Sequence, residues 1–588
     1  MLTTPKPSKR NLVYFFIPFL ILLVSALIRI PNLSKLPNGF FTDEAALGYN
    51  AWSILKTGKD EWGEFLPLTL RSFHDHKPAI YAYLTIPFVA VLGLTETAVR
   101  LPAAIFGSIL PVVVYWWLLS INESKNSSLK FTNILPALLT ALVITFAPWH
   151  WEISRTAIEA GAAVCFTMII LLLLRSKKKL ALLAALLLSV VTLYTYHTSR
   201  LLLPPILFLG AIWDQLKHKK IIIIFSGLLL AFGLFLSLTG SSERFRQISI
   251  FQDRGALALR EEAIREDGGI GQTPLLATRA YHNKLVSYMY SFAEGYVTNT
   301  SLHYLFVGGA QPPRVQIPET GQFLLLLLPF FLIGLGKMAA SLSNDKFQRW
   351  LLAWLLIAPI PASITYAELP HAYRTLFMLI PVSVVIAQGL ITAYNLILQA
   401  LPKYQQLTAG LVMLGTAAGL TWNAGKAWHQ YALHQQVHQP WHRTSGYKEL
   451  VSYCNQLPDK QDRRIVITRS YMEPYIFFLF YNQVDPERYQ ALEQKRLSRA
   501  ELDVEKITEW SMFGLTFSTE KCPHDSYSEA KKDSVFFSHL ECRKPLGYKR
   551  IGSIDFADGT PMFHIDVPMT KQEFQEYLED HPKVRQSL

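Results

Sequence analysis

Long apolar runs recur along the chain from its beginning to about residue 423. Three of them are "NLVYFFIPFLILLVSALIRI" (11–30), "IIIIFSGLLLAFGLFLSLTG" (221–240) and "FLLLLLPFFLIGLGKMAA" (323–340). A helix needs about 20 apolar residues to cross the hydrocarbon core of a bilayer. Such spans must be helices because the backbone in lipid has to satisfy its own polar groups. The pattern therefore predicts an α-helical polytopic membrane protein of about eleven transmembrane helices.

The predicted spans are 11–30, 99–119, 131–149, 157–174, 180–197, 201–214, 220–239, 321–340, 349–366, 374–398 and 406–423. The apolar run 79–94 is interpreted differently. Its 16 residues give a helix of about 24 Å, whereas the bilayer core is about 30 Å thick, and Pro87 lies near its middle. We predict an interfacial or re-entrant helix here.

Charge supports this interpretation. The basic clusters are Lys6, Lys9 and Arg10; Lys125 and Lys130; "RSKKK" (175–179); "KHKK" (217–220); Lys346 and Arg349; and Lys403. If 79–94 does not cross, all of them fall on one side, which the positive-inside rule identifies as the cytoplasm. These loops account for much of the net charge of +12 without a nucleic acid partner. The loops rich in aromatic and ionisable residues then face outward, so we expect an active site outside the cytoplasmic (inner) membrane.

The sequence predicts two domains. Residues 1–423 form the transmembrane domain, with a first external loop at 31–98 and a large external loop at 240–320. Residues 424–588 form an external α/β domain, in which "RRIVITRS" (463–470) is typical of a strand, "EPYIFFLFYN" (473–482) of a helix or strand, and 548–567 of a hairpin around "ADGT". Cys522 and Cys542 pair if this domain faces an oxidising compartment, and the sequence leaves that pairing open.

The stretch "GFFTDEAALGYN" (39–50) places Asp43 and Glu44 shortly after the first span. One interpretation is a solvated pair at a helix start, with Thr42 as N-cap and the acids at favourable early positions. The other is a general base at the lipid boundary, where partial desolvation raises the pKa of the carboxylate.

Candidate cations lie in loops that the topology places on the same face. "SFHDHKP" (72–78) contains His74, Asp75, His76 and Lys77. His74 and Asp75 could bind a metal, although their spacing is weak evidence, and Lys77 either snorkels or holds a lipid-linked phosphate. The other candidates are His150, Arg155, His197, Arg200, His371, Tyr373 and Arg374. Each alone is typical of an interfacial anchor, but together with a carboxylate they suit transfer from a phosphate leaving group.

The order "DE", "HKP", "RLPAAIFG" and "APWHWEISR" resembles the GT-C superfamily of glycosyltransferases. The closest likeness is to glycosyltransferase family 39, which includes protein O-mannosyltransferases and aminoarabinose transferases that modify lipid A. The likeness covers about residues 10–400. It implies a polyprenyl-phosphate-sugar donor and an inverting transfer to a hydroxyl of a protein, glycolipid or polysaccharide precursor.

The resemblance also implies roles for individual residues. Asp43 maps to the base and Glu44 to its acidic neighbour, while Lys77 and Arg374 would contact the donor phosphate. Arg100, in "VRLP", matches a family arginine with a structural or donor-positioning role. This chain has "HKPA" where the family has "HKPP", which leaves the register uncertain. Some superfamily relatives use a divalent metal at the acidic loop, and His74 and Asp75 keep that question open.

A transporter or lipid-linked-saccharide flippase is the main alternative. Such a protein would place ionisable groups near the bilayer midplane on broken helices. Here the ionisable residues cluster at the predicted outer ends of the spans, which favours the transferase. A non-catalytic receptor would not need both acidic and cationic groups on one face.

Overall fold

The structure is a computed structural model that describes residues 12–73, 75–123, 131–213, 215–238, 248–269, 276–400, 405–458, 463–498, 509–522 and 534–581. The chain divides into two compact units. The first comprises Met1–Leu33, Leu68–Leu84 and Arg100–His434, and the second comprises Ser34–Pro67, Thr85–Val99 and Gln435–Leu588.

Helices make up most of the described chain. In chain order they are α1 (Ile17–Arg29), α2 (Thr42–Thr57), α3 (Ile80–Leu92), α4 (Glu96–Glu123), α5 (Phe131–Phe146), α6 (Pro148–Ser154), α7 (Glu159–Leu173), α8 (Lys179–Leu193), α9 (His197–Ile212), α10 (Lys219–Leu238), α11 (Arg254–Gly269), α12 (Leu276–Tyr281), α13 (Lys284–Thr300), α14 (Leu302–Phe306), α15 (Leu328–Ser341), α16 (Lys346–Ile357), α17 (Ile360–Ser363), α18 (Leu379–Ala400), α19 (Gln405–His429), α20 (Gln435–Val437), α21 (Tyr447–Gln456), α22 (Tyr475–Tyr481), α23 (Pro486–Ser498) and α24 (Lys571–Asp580). The strands are β1 (Thr69–Ser72), β2 (Asp75–Pro78), β3 (Arg464–Thr468), β4 (Glu509–Met512), β5 (Leu515–Ser518), β6 (Ser534–His539), β7 (Tyr548–Asp555) and β8 (Pro561–Pro568).

Among the described residues, three helical stretches are long and apolar enough to cross a bilayer: Glu96–Ile121, Lys219–Leu238 and Leu376–Ala400. The pair α5 and α6 gives a fourth if it forms one bent span. Further apolar helices have 10–17 residues, among them α3. The predicted class, a helical membrane protein with a C-terminal sheet domain, is confirmed. The count of eleven spans and the interfacial position of 79–94 stay predictions.

These helices differ in how far other helices cover them. The apolar part of Leu376–Ala400 is 78% buried, whereas that of α10 is only 22% buried. Helix α10 leaves apolar side chains such as Ile224, Leu228 and Phe235 exposed. A helix that is apolar all round and yet uncovered is suited to lipid rather than to water.

Two glycines let α15 and α18 approach closely. A Cβ atom at Gly389 would overlap the Phe330 carbonyl oxygen, and one at Gly334 would overlap the Val385 carbonyl oxygen. Small residues at such contacts are typical of helix pairs in membranes, where close backbone packing replaces the hydrophobic effect.

The run predicted as one span at 131–149 is bent. Helix α5 ends at Phe146 and α6 begins at Pro148, with their axes 59° apart. Pro148 has no amide hydrogen to donate, and its ring prevents α5 from continuing. All seven residues of α6 are buried, so this bend brings the candidate residue His150 inside the first unit.

The first unit also contains most of the segment predicted as the large external loop, 240–320. Its described part forms the helices α11 to α14. This segment is therefore largely helical where it is described, rather than an irregular loop.

The second unit is built on a six-stranded mixed sheet of order β4-β5-β3-β6-β8-β7. Strand β3 runs parallel to β5 and β6, whereas the remaining pairs are antiparallel. The stretch 463–470 contains the predicted strand as β3, the hairpin around "ADGT" is β7–β8, and "EPYIFFLFYN" contains the helix α22.

Helix α2 belongs to this second unit, and most of its residues are buried. A Cβ atom at Gly48 would lie 2.6 Å from Val99 and 2.7 Å from the Phe480 ring. The Tyr49 hydroxyl donates to the Val484 carbonyl at 3.1 Å. The helix that carries the acidic pair is thus packed on α22 and fixed at its middle.

Cys522 and Cys542 form a disulfide. This answers the question that the sequence left open. The remaining two cysteines, Cys165 and Cys454, are buried and form no disulfide.

Candidate functional site

Lys77 lies on a short hairpin of the first unit. Strands β1 and β2 pair so that Leu70 faces Lys77 and Ser72 faces Asp75. The Lys77 side chain is only 4% exposed, and its ammonium lies 5.3 Å from the centre of the Phe73 ring. A snorkelling lysine keeps its charge in water, so this burial argues against that interpretation. The aromatic ring contributes a cation–π contact to the buried charge.

The hairpin is fixed to the ends of two helices. His197, at the start of α9, places its Nε2 3.2 Å from the His76 carbonyl oxygen. The Ile80 amide donates to the Tyr194 carbonyl at 3.3 Å, beyond the end of α8. The contact between His76 and His197 therefore holds the hairpin and so fixes the position of Lys77.

The metal question concerns residues at the tip of the hairpin. His74 lies outside the described residues, and so does the side chain of Asp75. Among the residues that the structure does describe, no three His, Cys, Asp or Glu side chains are grouped closely enough to bind a metal. The question of a divalent metal at His74 and Asp75, which the sequence leaves open, is not tested by the described residues.

Arg374 lies in a compact turn, 364–375, before α18. Its Nη1 donates to the Thr365 hydroxyl at 2.7 Å and to the Ala367 carbonyl at 3.2 Å. Glu368, at the crest of this turn, has a φ of 60°. Its Oε1 lies 3.5 Å from Nη1 of Arg314, and its Oε2 lies 3.4 Å from Nε2 of His371. One carboxylate thus connects a second arginine and a histidine to the turn of Arg374.

His371 is neutral in this arrangement. Its Nδ1 accepts from the amides of Tyr373 and Arg374 at 3.2 and 3.4 Å, so its proton is on Nε2, facing Glu368. Burial and the charge of Arg374 lower the pKa of His371 to about 3. Burial acts to raise the pKa of Glu368, but the His371 hydrogen bond and the charges of Arg314 and Arg374 outweigh it and lower that pKa to about 2. At neutral pH the pair is a carboxylate with a neutral imidazole.

Other elements of the first unit hold the same turn. The Gln311 amide donates to the Pro370 carbonyl at 2.7 Å, and the Ala372 amide donates back to Gln311 at 3.0 Å. The Trp149 indole donates to the Ala372 carbonyl at 2.9 Å. Tyr373 contributes its ring, which meets the His371 imidazole edge-on at 5.5 Å between centroids.

Sequence reasoning missed Arg314 and Glu368. Glu368 was visible in the loop "AELPHAYRT", three residues before His371. Arg314 gave no local signal, because it follows two prolines in a long segment and only the fold brings it to Glu368.

Three other predicted arginines support the helix packing. Arg100 Nη1 donates to the Leu33 carbonyl at 2.8 Å. Arg155 donates to the carbonyls of Ile28 and Pro31 at 2.8 and 2.6 Å. Arg200 donates to those of Leu193 and Leu236 at 3.1 and 3.4 Å. The carbonyls of Ile28, Leu193 and Leu236 lie in the last turns of their helices, where carbonyls lack partners within their own helix. Those of Pro31 and Leu33 lie in the turn after α1.

His150 takes part in a similar contact. Its Nδ1 lies 2.8 Å from Nη2 of Arg29, which also donates to the Thr145 carbonyl at 3.1 Å. Both side chains are fully buried. Arg29, near the end of the first apolar run, was not predicted. These buried ionisable groups bind main-chain carbonyls. Their contacts are those of groups that hold the fold together, and so they give no support to the transporter alternative.

The two acids of the second unit have different surroundings. Helix α2 begins at Thr42, with Phe41 rather than Thr42 as its N-cap. The Glu44 side chain, 4% exposed, accepts from the Phe41 amide at 3.1 Å. Glu44 thus completes the helix start, as the acid of a capping box does. Asp43 is partly exposed, which fits better with contact to a substrate.

A second acidic pair, missed from the sequence, lies fully buried at the end of α2. Asp60 Oδ1 accepts from the amides of Trp62 and Glu64, both at 2.9 Å. Burial raises the pKa of Asp60 to about 6 despite these bonds. Glu61 accepts from the Asn50 amide group at 3.4 Å. These contacts shape the turn after α2.

No family model matches the chain, and no curated protein matches it either. Solved structures with similar folds exist. The oligosaccharyltransferase AglB from Archaeoglobus fulgidus, in complex with an inhibitory peptide and a dolichol-phosphate, is 12% identical, with a TM-score of 0.46, over 84% of this chain and 69% of that one.

ArnT from Cupriavidus metallidurans bound to undecaprenyl phosphate is 13% identical, with a TM-score of 0.43, over 95% of this chain and 98% of that one. The apo form of the same protein is 12% identical, with a TM-score of 0.46, over 93% of this chain and 97% of that one. Both proteins are GT-C superfamily glycosyltransferases, the superfamily that the sequence motifs resemble. Because these TM-scores are below 0.5, the function proposed below rests on the residues of this chain.

Proposed function

We propose that this protein is a multi-pass membrane glycosyltransferase. It transfers a sugar from a polyprenyl-phosphate-sugar donor to an acceptor hydroxyl, with inversion, at the external face of the cytoplasmic membrane. The acceptor class is a protein, a glycolipid or a polysaccharide precursor.

The observation that carries the proposal is the fixed Arg374 guanidinium. Hydrogen bonds to Thr365 and Ala367 orient it, and the neutral His371 anchors its turn through two main-chain amides. Guanidinium groups recognise phosphate oxygens in a planar, two-pronged geometry. A group held in place beforehand stabilises charge that develops on a leaving phosphate without reorganising during the reaction.

The proposed reaction uses one base and two cations. Asp43 takes the proton of the acceptor hydroxyl while that oxygen attacks the anomeric carbon of the sugar. The bond between this carbon and the phosphate oxygen breaks, and its electron pair leaves with the polyprenyl phosphate. Lys77 and Arg374 bind the phosphate and balance its charge. The base role of Asp43 is part of the proposal.

The disulfide supports an external position for the second unit. Disulfides persist in oxidising compartments and are rare in the cytosol. The pair Cys522 and Cys542 therefore fits a domain outside the cell's reducing interior, on the side that the positive-inside rule predicts.

The test is a transfer assay with purified enzyme and a panel of polyprenyl-phosphate sugars, in which mass spectrometry measures release of the free lipid phosphate. We expect Lys77→Ala and Arg374→Ala each to lower kcat/KM for the donor by about 10- to 100-fold, the effect of losing a charged hydrogen bond. The matched controls are the exposed residues Lys337 and Arg279, whose alanine variants should keep the activity of the unsubstituted protein. If Lys77→Ala and Arg374→Ala equal their controls, or no donor releases lipid phosphate, the proposal is wrong.

A further inference from the structure

Helix α13, in the segment predicted as an external loop, has its apolar residues on the outside. Leu285, Met289 and Val297 are 67%, 63% and 66% exposed, and Tyr290 is 74% exposed. Their spacing of four and eight residues places the first three on one helix face. None of these large side chains is covered by the described residues of the first unit.

The opposite face of α13 carries small and polar residues at every fourth position: Ser287, Ser291, Gly295 and Asn299. Gly295 and Asn299 are buried. A Cβ atom at Gly295 would lie 3.2 Å from the Cα of Ser363, so α13 packs closely against α17. The Asn299 amide group donates to the Gly295 carbonyl at 2.7 Å and accepts from the His371 amide at 2.9 Å.

This arrangement is the reverse of a helix on a water-exposed protein surface, which turns its apolar stripe inward and its polar residues outward. In a bilayer, small residues mediate helix packing and interhelical hydrogen bonds, and the apolar side chains face lipid. The charged residues of α13 are Lys284, at its first position, and Glu294, at the edge of the exposed face.

A hydrogen bond connects α13 to a helix that lies in a predicted span. The Tyr296 hydroxyl donates to the Leu356 carbonyl at 2.8 Å. Leu356 lies in the last turn of α16, within the predicted span 349–366, and is itself 51% exposed. The exposed face of α13 therefore continues the lipid-facing surface of a predicted span. Tyr288 and Tyr290 lie in its N-terminal half, and tyrosine is enriched where a helix meets the lipid headgroups.

We propose that the face formed by Leu285, Met289, Tyr290 and Val297 is embedded in the lipid bilayer. The segment 284–300 is then a membrane-associated helix, and its occupant is lipid rather than water or a protein partner. One consequence rests on the function proposed above. Because Asn299 binds the main chain of His371, the Arg374 turn is attached to a lipid-embedded helix, at the surface where a lipid-borne phosphate arrives.

The experiment is site-directed spin labelling in proteoliposomes with the full-length protein. Cysteines are introduced singly as L285C, M289C and V297C, labelled, and probed for collisions with oxygen, which concentrates in lipid, and with a water-soluble nickel chelate. The control is E262C, at an exposed polar position on α11 in the same segment. The unsubstituted protein, in which Cys165 and Cys454 are buried, measures background labelling.

We expect oxygen collisions at the three α13 positions to exceed nickel collisions several-fold, and the reverse at position 262. Nickel access equal to that at position 262 would mean that α13 lies in water. Low access to both reagents would mean that protein covers this face, and either result overturns the proposal. Because the readout needs no donor sugar, a lipid signature without any sugar transfer would overturn only the proposed enzymatic function.

Discussion

At the residue scale, the arginines of the first unit differ in the atoms they contact. Arg155 and Arg200 donate to main-chain carbonyls from separate helices, so replacing them would leave buried acceptors unpaired, which is costly. Arg374 donates within its own turn. We therefore propose that Arg155 and Arg200 stabilise the fold and that Arg374 binds the donor phosphate.

The adjacent acids Asp43 and Glu44 allow a sharp comparison. We expect D43N to lower the rate of sugar transfer by about 10²- to 10⁴-fold, the usual effect of removing a general base. We expect E44Q to keep most of the activity, because a glutamine also completes a capping box with the N-cap amide. The measurement is kcat with the preferred donor. Equal loss in both variants, or full activity in D43N, would remove Asp43 from the base role.

Glu368 is predicted to position Arg314 and His371. We expect E368Q to raise KM for the lipid donor several-fold and to lower the free energy of unfolding by about 1 kcal/mol at pH 7, as for a partly exposed ion pair. Because the fold lowers the pKa of Glu368 from 4.5 to about 2, its stabilising contribution is complete above about pH 4.5 and is lost toward pH 2.

The check for Glu368 is thermal unfolding of E368Q and the unsubstituted protein at pH 7 and pH 4, alongside donor kinetics. Their difference in stability should be smaller at pH 4. E319Q, at an exposed glutamate, should differ from the unsubstituted protein by less than about 0.5 kcal/mol. A difference that grows on acidification would contradict the ionised state of Glu368.

At the scale of elements, close contacts hold several parts of the first unit together. The β1–β2 hairpin is attached through His76 and Ile80 to the ends of α8 and α9. Helices α15 and α18 meet at Gly334 and Gly389 without room for a side chain. Lys77 thus lies on an element that helix ends hold in place, whereas Arg374 lies in the turn before α18.

The glycine contact can be tested with a matched pair. A Cβ atom at Gly389 would overlap the Phe330 carbonyl, whereas one at Gly415, within α19, meets nothing within 4 Å. We expect G389A to destabilise the protein by about 1–3 kcal/mol or more, as overpacking does. We expect G415A to be neutral or slightly stabilising. Thermal unfolding in detergent compares the two, and equal stabilities would contradict the close packing of α15 on α18.

At the scale of the whole molecule, topology decides where the chemistry takes place. The predicted span count, the basic loops and the Cys522–Cys542 disulfide are the three grounds on which we propose that the second unit lies outside the cytoplasm. The disulfide is the independent part of this evidence, because it depends on the redox state of the compartment rather than on hydropathy.

Cysteine accessibility in intact cells tests this topology. We expect E576C, at an exposed position of α24, to react with a membrane-impermeant maleimide without permeabilisation. K177C, in the "RSKKK" cluster, should react only after permeabilisation. The opposite pattern would reverse the orientation, and equal labelling of both positions from outside would refute the assignment of the basic loops to the cytoplasm.

The sequence by itself determined the membrane class, the helical character of the spans and the sheet domain at the C-terminus. It also located the acidic pair, Lys77 and Arg374. These features are local: an apolar run must be helical in lipid wherever it lies in the fold, and alternation within 463–568 predicts strands whichever strand they pair with.

Only the tertiary structure decided how the ionisable residues are used. Arg155 binds carbonyls more than 120 residues away in the chain, Arg314 meets Glu368 across two loops, and Cys522 joins Cys542. It also decided that the apolar face of α13 points outward and that Glu44 completes a helix start. The physical reason is that a side chain's role depends on the partner that the fold brings to it, whereas hydropathy and spacing describe only its neighbours along the chain.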